Sequence, residues 1–304
     1  MDPRIREHAE IIVDHSTAVE SGDRVVVSTP TIAEDLAVAL HEVLGERGAV
    51  PTHVTSDERA QRAYLRAVDP EDLETATHLQ ALYEKSDVLI RVRGQTNATE
   101  QSDVDPAVQV EQSRANQPVQ EVALSKRWCL TQFPSSGNAQ LAEMSTDAYE
   151  DFVWNAINKD WEDQRDHQER MVEILDPADE VRIKSGEVTD VKMSVDGMKT
   201  INDHGEHNLP GGEVFTAPVV NSVRGEVLFD KPLYHQGREI TGAHLVFEDG
   251  EVVEHDADKN DDLLSEVLET DDGARRLGEL GIGMNRDIDR FTYNMLFDEK
   301  MGDT

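Results

Sequence analysis

Runs of apolar positions in the first half of the chain alternate between two periods. Asp23–Pro30 (DRVVVSTP) is a short, nearly continuous β-branched run of the kind that forms a strand covered on both faces. In the next segment Leu36, Leu40, Val43 and Leu44 recur at helical spacing, and Gly48 is placed to stop the helix. VPTHVTS then predicts a strand, and PEDLETATHLQALYEKS predicts one helix started by Pro70. Ser86–Gly94 (SDVLIRVRG) and Arg127–Pro134 (RWCLTQFP) are further strands. Residues 95–125 are polar without clear periodicity and predict a surface excursion holding at most one helix. Ser145–Leu175 is helical in pattern, with Tyr149, Phe152, Val153, Ala156 and Ile157 on one face. Strands alternating with helices imply βαβ units and a parallel sheet.

After Asp179 the pattern changes to short alternating segments separated by Gly and Asp turns, among them EVRIKSG, TDVKMSVDG, GEVFTAPV, RGEVLFDKPL and EITGAHLVFEDG. These predict a largely antiparallel region, followed by helices around Asp262–Glu269 and Ala274–Leu280. Pro177, in LDPAD, interrupts the preceding helix and marks a hinge. The expected fold class is α/β, with an N-terminal parallel-sheet domain over 1–176 and an α+β domain with mainly antiparallel strands over 177–304. There is no internal repeat or low-complexity tract.

Charge changes this picture. The 304 residues hold 63 acidic and 29 basic side chains for a net charge of −34, with the acids spread over every element and nine lysines among the basic residues. Dispersed acid with little lysine fits a salt-rich cytoplasm, where a Debye length of about 3 Å at 1 M salt screens self-repulsion. It argues against nucleic acid as a partner, because phosphate binding needs clustered Lys and Arg. No window is long and apolar enough for a membrane span, and the N-terminus lacks a signal-peptide pattern, so the expectation is a soluble cytoplasmic protein. An acidic binding module is a reading that rests on net charge alone.

Several motifs can be set aside. Cys129, the single cysteine, has apolar neighbours and reads as a buried structural thiol. Counted from Asp256, a calcium loop would have Asp261 at its glycine position and Val267 at its bidentate position. HEVLG ends in Gly where a zinc-protease helix needs His, and LGELGIG lacks the spacing of a dinucleotide loop. DHGEH (Asp203–His207) concentrates ligand-type side chains but reads best as a solvated turn.

Two glutamates remain. Glu213, in NLPGGEVFTAP, follows two glycines and precedes Val214 and Phe215; Glu279, in GARRLGELGIG, lies between Gly278 and Leu280. An isolated buried carboxylate tends to be neutralised, whereas a divalent cation reverses that preference. Each alone reads as a hydrogen-bonded or surface Glu; together they raise the possibility of a shared metal centre.

The segments NLPGGEVFTAP, NSVRGEVLFDKPL, GAHLVFEDGEVVE, DDGARRLGELGIGMN and NMLFDEKMGDT, with Trp128–Trp154 in the first half, resemble the aminopeptidase T family. The resemblance runs along essentially the whole chain. It implies a metal-dependent aminopeptidase that hydrolyses N-terminal residues from peptides by a two-metal mechanism, working as a homodimer. It also implies two divalent ions, Zn²⁺, Co²⁺ or Mn²⁺, held by two glutamates, two histidines, a tyrosine and an aspartate. The family glutamates fall on Glu213 and Glu279, with Glu279 favoured as the bridging ligand; no general base can be named. The other ligands are expected in HxAxG and HxD segments after FDEK, and none of the eleven histidines stands at a matching position. On that basis the chain is expected to be truncated, to carry two of six ligands and to have little activity. The alternative is an inactive remnant with a structural or dimerising role. For Asp298 and Glu299, in FDEK, a structural ion-pair role is the simpler expectation.

Overall fold

The computed structural model describes residues 2–235, 238–271 and 273–302. The chain divides into two compact units, neither continuous in sequence: Met1–Trp161 with His204–Gly211 and Asn285–Asp298, and Glu162–Asp203 with Gly212–Met284 and Glu299–Thr304.

The first unit is built on β1 (Arg24–Pro30), β2 (Val50–Ser56), β3 (Val88–Arg93) and β4 (Arg127–Gln132), joined by the short strand Asn208–Leu209. All pairings are parallel, and the spatial order is β2-β1-β3-β4 followed by Asn208–Leu209. The apolar runs in β1 and β3 are buried, as helix-covered parallel strands require, whereas β2 at the edge is mostly exposed. Helix Glu34–Arg47 buries Leu36, Leu40, Val43 and Leu44 and stops at Gly48, whose φ of 74° lets its N–H reach Gly45 O and Leu44 O. Cys129 is fully buried, as its neighbours imply.

In this unit the structure corrects one helical reading and sharpens two others. Pro70 starts only the 3-10 turn Pro70–Asp72, and the helix proper is Thr77–Glu84; Glu58–Leu65, capped by Asp57, is an additional helix. The polar stretch holds a 19-residue helix, Pro106–Leu124, capped by Asp105. Only Val108, Ala115, Val119 and Ala123 of that helix are buried, too narrow a stripe to stand out in the pattern. Ser145–Leu175 is two helices, Thr146–Ile157 and Trp161–Leu175.

His8, in helix Pro3–Glu10, is fully buried; its Nε2 lies 2.8 Å from Thr131 Oγ1 and its ring meets Trp154 edge-on at 5.4 Å. Burial pushes the imidazole down to about 3, so the folded state resists protonation that the unfolded chain accepts near 6.5. Its contribution to stability is therefore complete above pH 6.5 and is lost as pH falls towards 3. Relative to wild type, His8→Leu should gain about 2–3 kcal/mol between pH 7.5 and 4.5, read by urea unfolding at both values. An unchanged difference between the two proteins would contradict this.

The second unit holds an antiparallel five-stranded sheet in the order Glu251–Asp256, His244–Glu248, Arg224–Leu228, Thr189–Ser194, Glu180–Ser185. Val191, Met193, Phe247 and Val252 from this sheet pack with Leu263, Leu264 and Leu268 of helix Asp261–Leu268. A smaller antiparallel sheet orders Leu280–Gly283, Glu213–Thr216 and Ile201–Asp203. The helix expected at Ala274–Leu280 is absent: turns and irregular chain lead into a strand at Leu280. Gly278, Gly281 and Gly283 weaken a helix there, and the strand gains its ladder from Glu213–Thr216. The parallel sheet with helices and the antiparallel sheets are the two textures the pattern predicted.

Candidate metal centre

The glycines of NLPGG shape the path into the small sheet. A Cβ on Gly211 would come within 2.2 Å of Gly205 N, so only glycine fits that crossing. Gly212 has φ 114°; its N–H donates to Asp203 O at 2.8 Å, and its carbonyl accepts from Met284 N at 2.7 Å. Glu213 then opens the central strand, opposite Asp203 on one side and Gly283 on the other. The fully buried Gln168 ties this corner together, its Nε2 donating to Asn202 Oδ1, Asp203 O and Glu213 O at 2.8–3.0 Å.

Glu213 is 6% exposed, and no donor among the described residues reaches its carboxylate within hydrogen-bond length. Burial pushes its carboxyl up to about 8; Lys300 opposes the shift, and Glu299, Glu279 and Asp203 add to it. Glu279 stands just before strand Leu280–Gly283. Exposed over the residue as a whole, it still has its carboxyl raised by partial burial and by Glu299, with Lys300 opposing. The fold therefore brings the two sequence-predicted glutamates within electrostatic reach of each other.

Three neighbours were not predicted. Lys300 is 0% exposed; its Nζ contacts Glu299 Oε1 and lies 3.9 Å from Asp203 Oδ2 and 4.0 Å from Glu213 Oε2. The latter two are beyond hydrogen-bond length, so the ammonium serves those carboxylates as a shared charge. Asp203 was in view as the first residue of DHGEH, and the FDEK run displayed Glu299 and Lys300, but no spacing rule joins 203, 213 and 299. His204 and His207 are not part of this cluster: His204 Nδ1 lies 3.3 Å from His15 Nε2, and the His207 ring meets Trp128 edge-on. His204 is thus half-buried, and the fully solvated turn is right only for exposed Glu206 and His207. Asp298 accepts hydrogen bonds from the Thr292 and Asn294 backbones, a turn-capping role.

The donor chemistry fits a divalent cation in kind: hard carboxylate oxygens, one set desolvated and lacking a hydrogen-bond donor. It falls short in number, because among the described residues no group of three or more His, Cys, Asp or Glu is spaced to hold an ion.

Gly281 gives Glu213 its room, since a Cβ there would sit 2.1 Å from Glu213 Oε1. Gly281→Ala should displace the carboxylate and lower the thermal midpoint, at a cost of about 1–3 kcal/mol. Gly278→Ala, where a Cβ meets nothing within 4 Å, is the control and should change little. Equal effects of the two substitutions would show that the contact is unimportant.

Comparison with known proteins bears on what such a site belongs to. Aminopeptidase 2 of Geobacillus stearothermophilus is 26% identical over 338 residues, covering 98% of this chain and 81% of that protein. Aminopeptidase T of Thermus aquaticus is 45% identical over 75 residues, 25% of this chain and 18% of that protein. The structure of wild-type AmpT from Thermus thermophilus superposes with a TM-score of 0.87 at 24% identity, over 99% of this chain and 84% of that one, and so shares its fold. The family described as thermophilic metalloprotease (M29) matches residues 1–304. The chain belongs to that family of metal-dependent hydrolases acting on peptides.

Proposed function

We propose that this protein is an aminopeptidase that releases N-terminal residues from peptides by a two-metal mechanism, with Glu213 and Glu279 among its metal ligands. The observation that carries the reading is the desolvated Glu213 carboxylate, lacking a donor and within electrostatic reach of Glu279, in a metallopeptidase-family chain. Relatives named as aminopeptidases support the choice of reaction. Bound divalent ions would supply Lewis-acid polarisation of the scissile carbonyl and a lowered pKa for the attacking water. The chain's own part is to hold two carboxylates on adjoining strand segments of the small sheet, with Gly281 admitting that of Glu213 and Lys300 offsetting their repulsion. In this reading residues 177–304 carry the metal chemistry, residues 1–176 form the α/β domain, and two copies associate as a cytoplasmic homodimer. Among the described residues no helix is long and apolar enough to cross a membrane.

The test supplies the purified chain with unblocked and N-acetylated peptides in high salt, with Zn²⁺, Co²⁺, Mn²⁺ or chelator. Single N-terminal residues should appear from unblocked peptides alone, slowly, with a rate that rises with metal concentration because two carboxylates hold ions weakly. Cleavage of acetylated peptides, or release unaffected by chelator, would overturn the proposal. The net charge of −34 adds a halophilic expectation: removing salt should unfold the protein, and molar salt should restore it, as followed by circular dichroism.

A further inference from the structure

The order β2-β1-β3-β4 contains a reversal. The chain passes from β1 to β2 on one side, then crosses back over β1 to place β3 on the other, so β1 and β3 flank a topological switch point. In open parallel sheets the carboxyl ends of the strands at such a point are splayed by connections leaving in opposite directions, and a crevice results. Here the crevice is a cavity of about 330 Å³, lined by the last residues of all four strands, Pro30, Ser56, Arg93 and Gln132, together with Glu58 and Asn138. Every lining residue belongs to the first unit, and none belongs to the carboxylate cluster around Glu213.

We propose that this cavity is a second ligand site and that it binds a free α-amino acid as its zwitterion. The volume suits a ligand of that size. Arg93 and Glu58 supply one cation and one anion to the lining, the pair that a carboxylate and an ammonium on the same small molecule require. Val92, Leu141 and Pro30 provide apolar surface for a side chain. Gln132 and Asn138 are held rigid: Gln132 Nε2 donates to Tyr149 Oη at 2.6 Å and its Oε1 accepts from Asn294 Nδ2 at 2.5 Å, while Asn138 Oδ1 accepts from Ser135 Oγ at 2.6 Å. Tyr293, also in the lining, adopts φ 57°, a left-handed conformation costly for a bulky residue and of a kind concentrated at ligand sites.

Phosphate-bearing ligands fit poorly. The helix leaving β1 begins with Glu34 and Asp35 in its first turn, placing negative charge where a phosphate-binding helix presents free N–H groups. Glu58 itself has a carboxyl raised by burial and then by the charges of Glu100 and Asp57, an environment that an ammonium relieves and a phosphate worsens.

The site and its ligand are argued from the cavity alone; the aminopeptidase reading adds only that such molecules are also what that reaction releases. The experiment therefore uses the full chain in chelator, so that metal binding contributes nothing. Isothermal titration with leucine should show saturable binding, with N-acetyl-leucine, leucinamide and AMP all weaker. Glu58→Gln and Arg93→Gln, checked for an unchanged unfolding midpoint, should each weaken leucine binding by about tenfold or more. Saturable binding that both variants retain, AMP binding in preference to leucine, or no binding of leucine in the millimolar range would overturn the assignment.

Discussion

Glu213→Gln is expected to separate metal binding from folding. The amide keeps the shape of the side chain and loses the negative charge, so affinity for Zn²⁺, Co²⁺ or Mn²⁺ should fall sharply. Losing an outer partner of a metal ligand costs 10–100-fold, and losing a direct ligand should bring the metal-dependent peptidase rate down by about 100-fold or more. In chelator the same substitution should stabilise the fold. The carboxyl is raised from 4.5 to about 8 chiefly by burial, so its contribution is complete below pH 4.5 and is lost as pH rises through 8. Glutamine titrates nowhere, and the variant should be more stable than wild type by about 1–3 kcal/mol at pH 8.5, with the gap closing towards pH 4.5. Metal titration and urea unfolding read the two effects independently. Unchanged metal affinity would remove Glu213 from the ligand set, whatever the stability data showed.

That trade-off explains which parts of the structure were legible beforehand. The parallel sheet was readable because β1 and β3 each carry a continuous apolar run, Val25–Val27 and Val88–Ile90, and Gly48 marks its helix end without ambiguity. Glu213 was readable because it breaks the local rule: a carboxylate between a two-glycine turn and an apolar strand stands out against its background. Glu279 was found for the wrong local structure. The apolar and glycine positions of RRLGELGIG fit a helix turn by spacing, and only long-range pairing with Glu213–Thr216 makes the segment a strand. Asp203 and Lys300 were missed for a physical reason. Nothing local distinguishes a surface Asp or Lys from one whose partners lie ten, or nearly ninety, residues away. The switch-point cavity was hidden for the same reason, since strand order is a property of pairing.

Lys300→Met should be the most destabilising single change in the cluster. Methionine fills much the same volume in a fully buried position, so the loss is that of charge. Removing one partner of a buried charge cluster costs roughly 3–5 kcal/mol, because the remaining carboxylates are left desolvated and uncompensated. Urea unfolding in chelator at pH 7.5 should show that loss, and it should shrink at pH 4, where carboxylates accept protons in both states. A Lys300→Met protein as stable as wild type at pH 7.5 would mean that water already satisfies these groups. Adding a divalent ion at pH 7.5 separates two roles for the lysine. Asp203, Glu213, Glu279 and Glu299 together outnumber one ammonium, so the cluster keeps a negative surplus even with Lys300 in place. If Lys300 and a metal ion share the task of neutralising it, the ion should recover part of the lost stability in Lys300→Met and also stabilise wild type. If the ammonium instead takes the ion's place, the ion should rescue the variant alone. The 3.9 and 4.0 Å separations favour the shared arrangement, because an ammonium in direct possession of these carboxylates would sit about 1 Å closer to each.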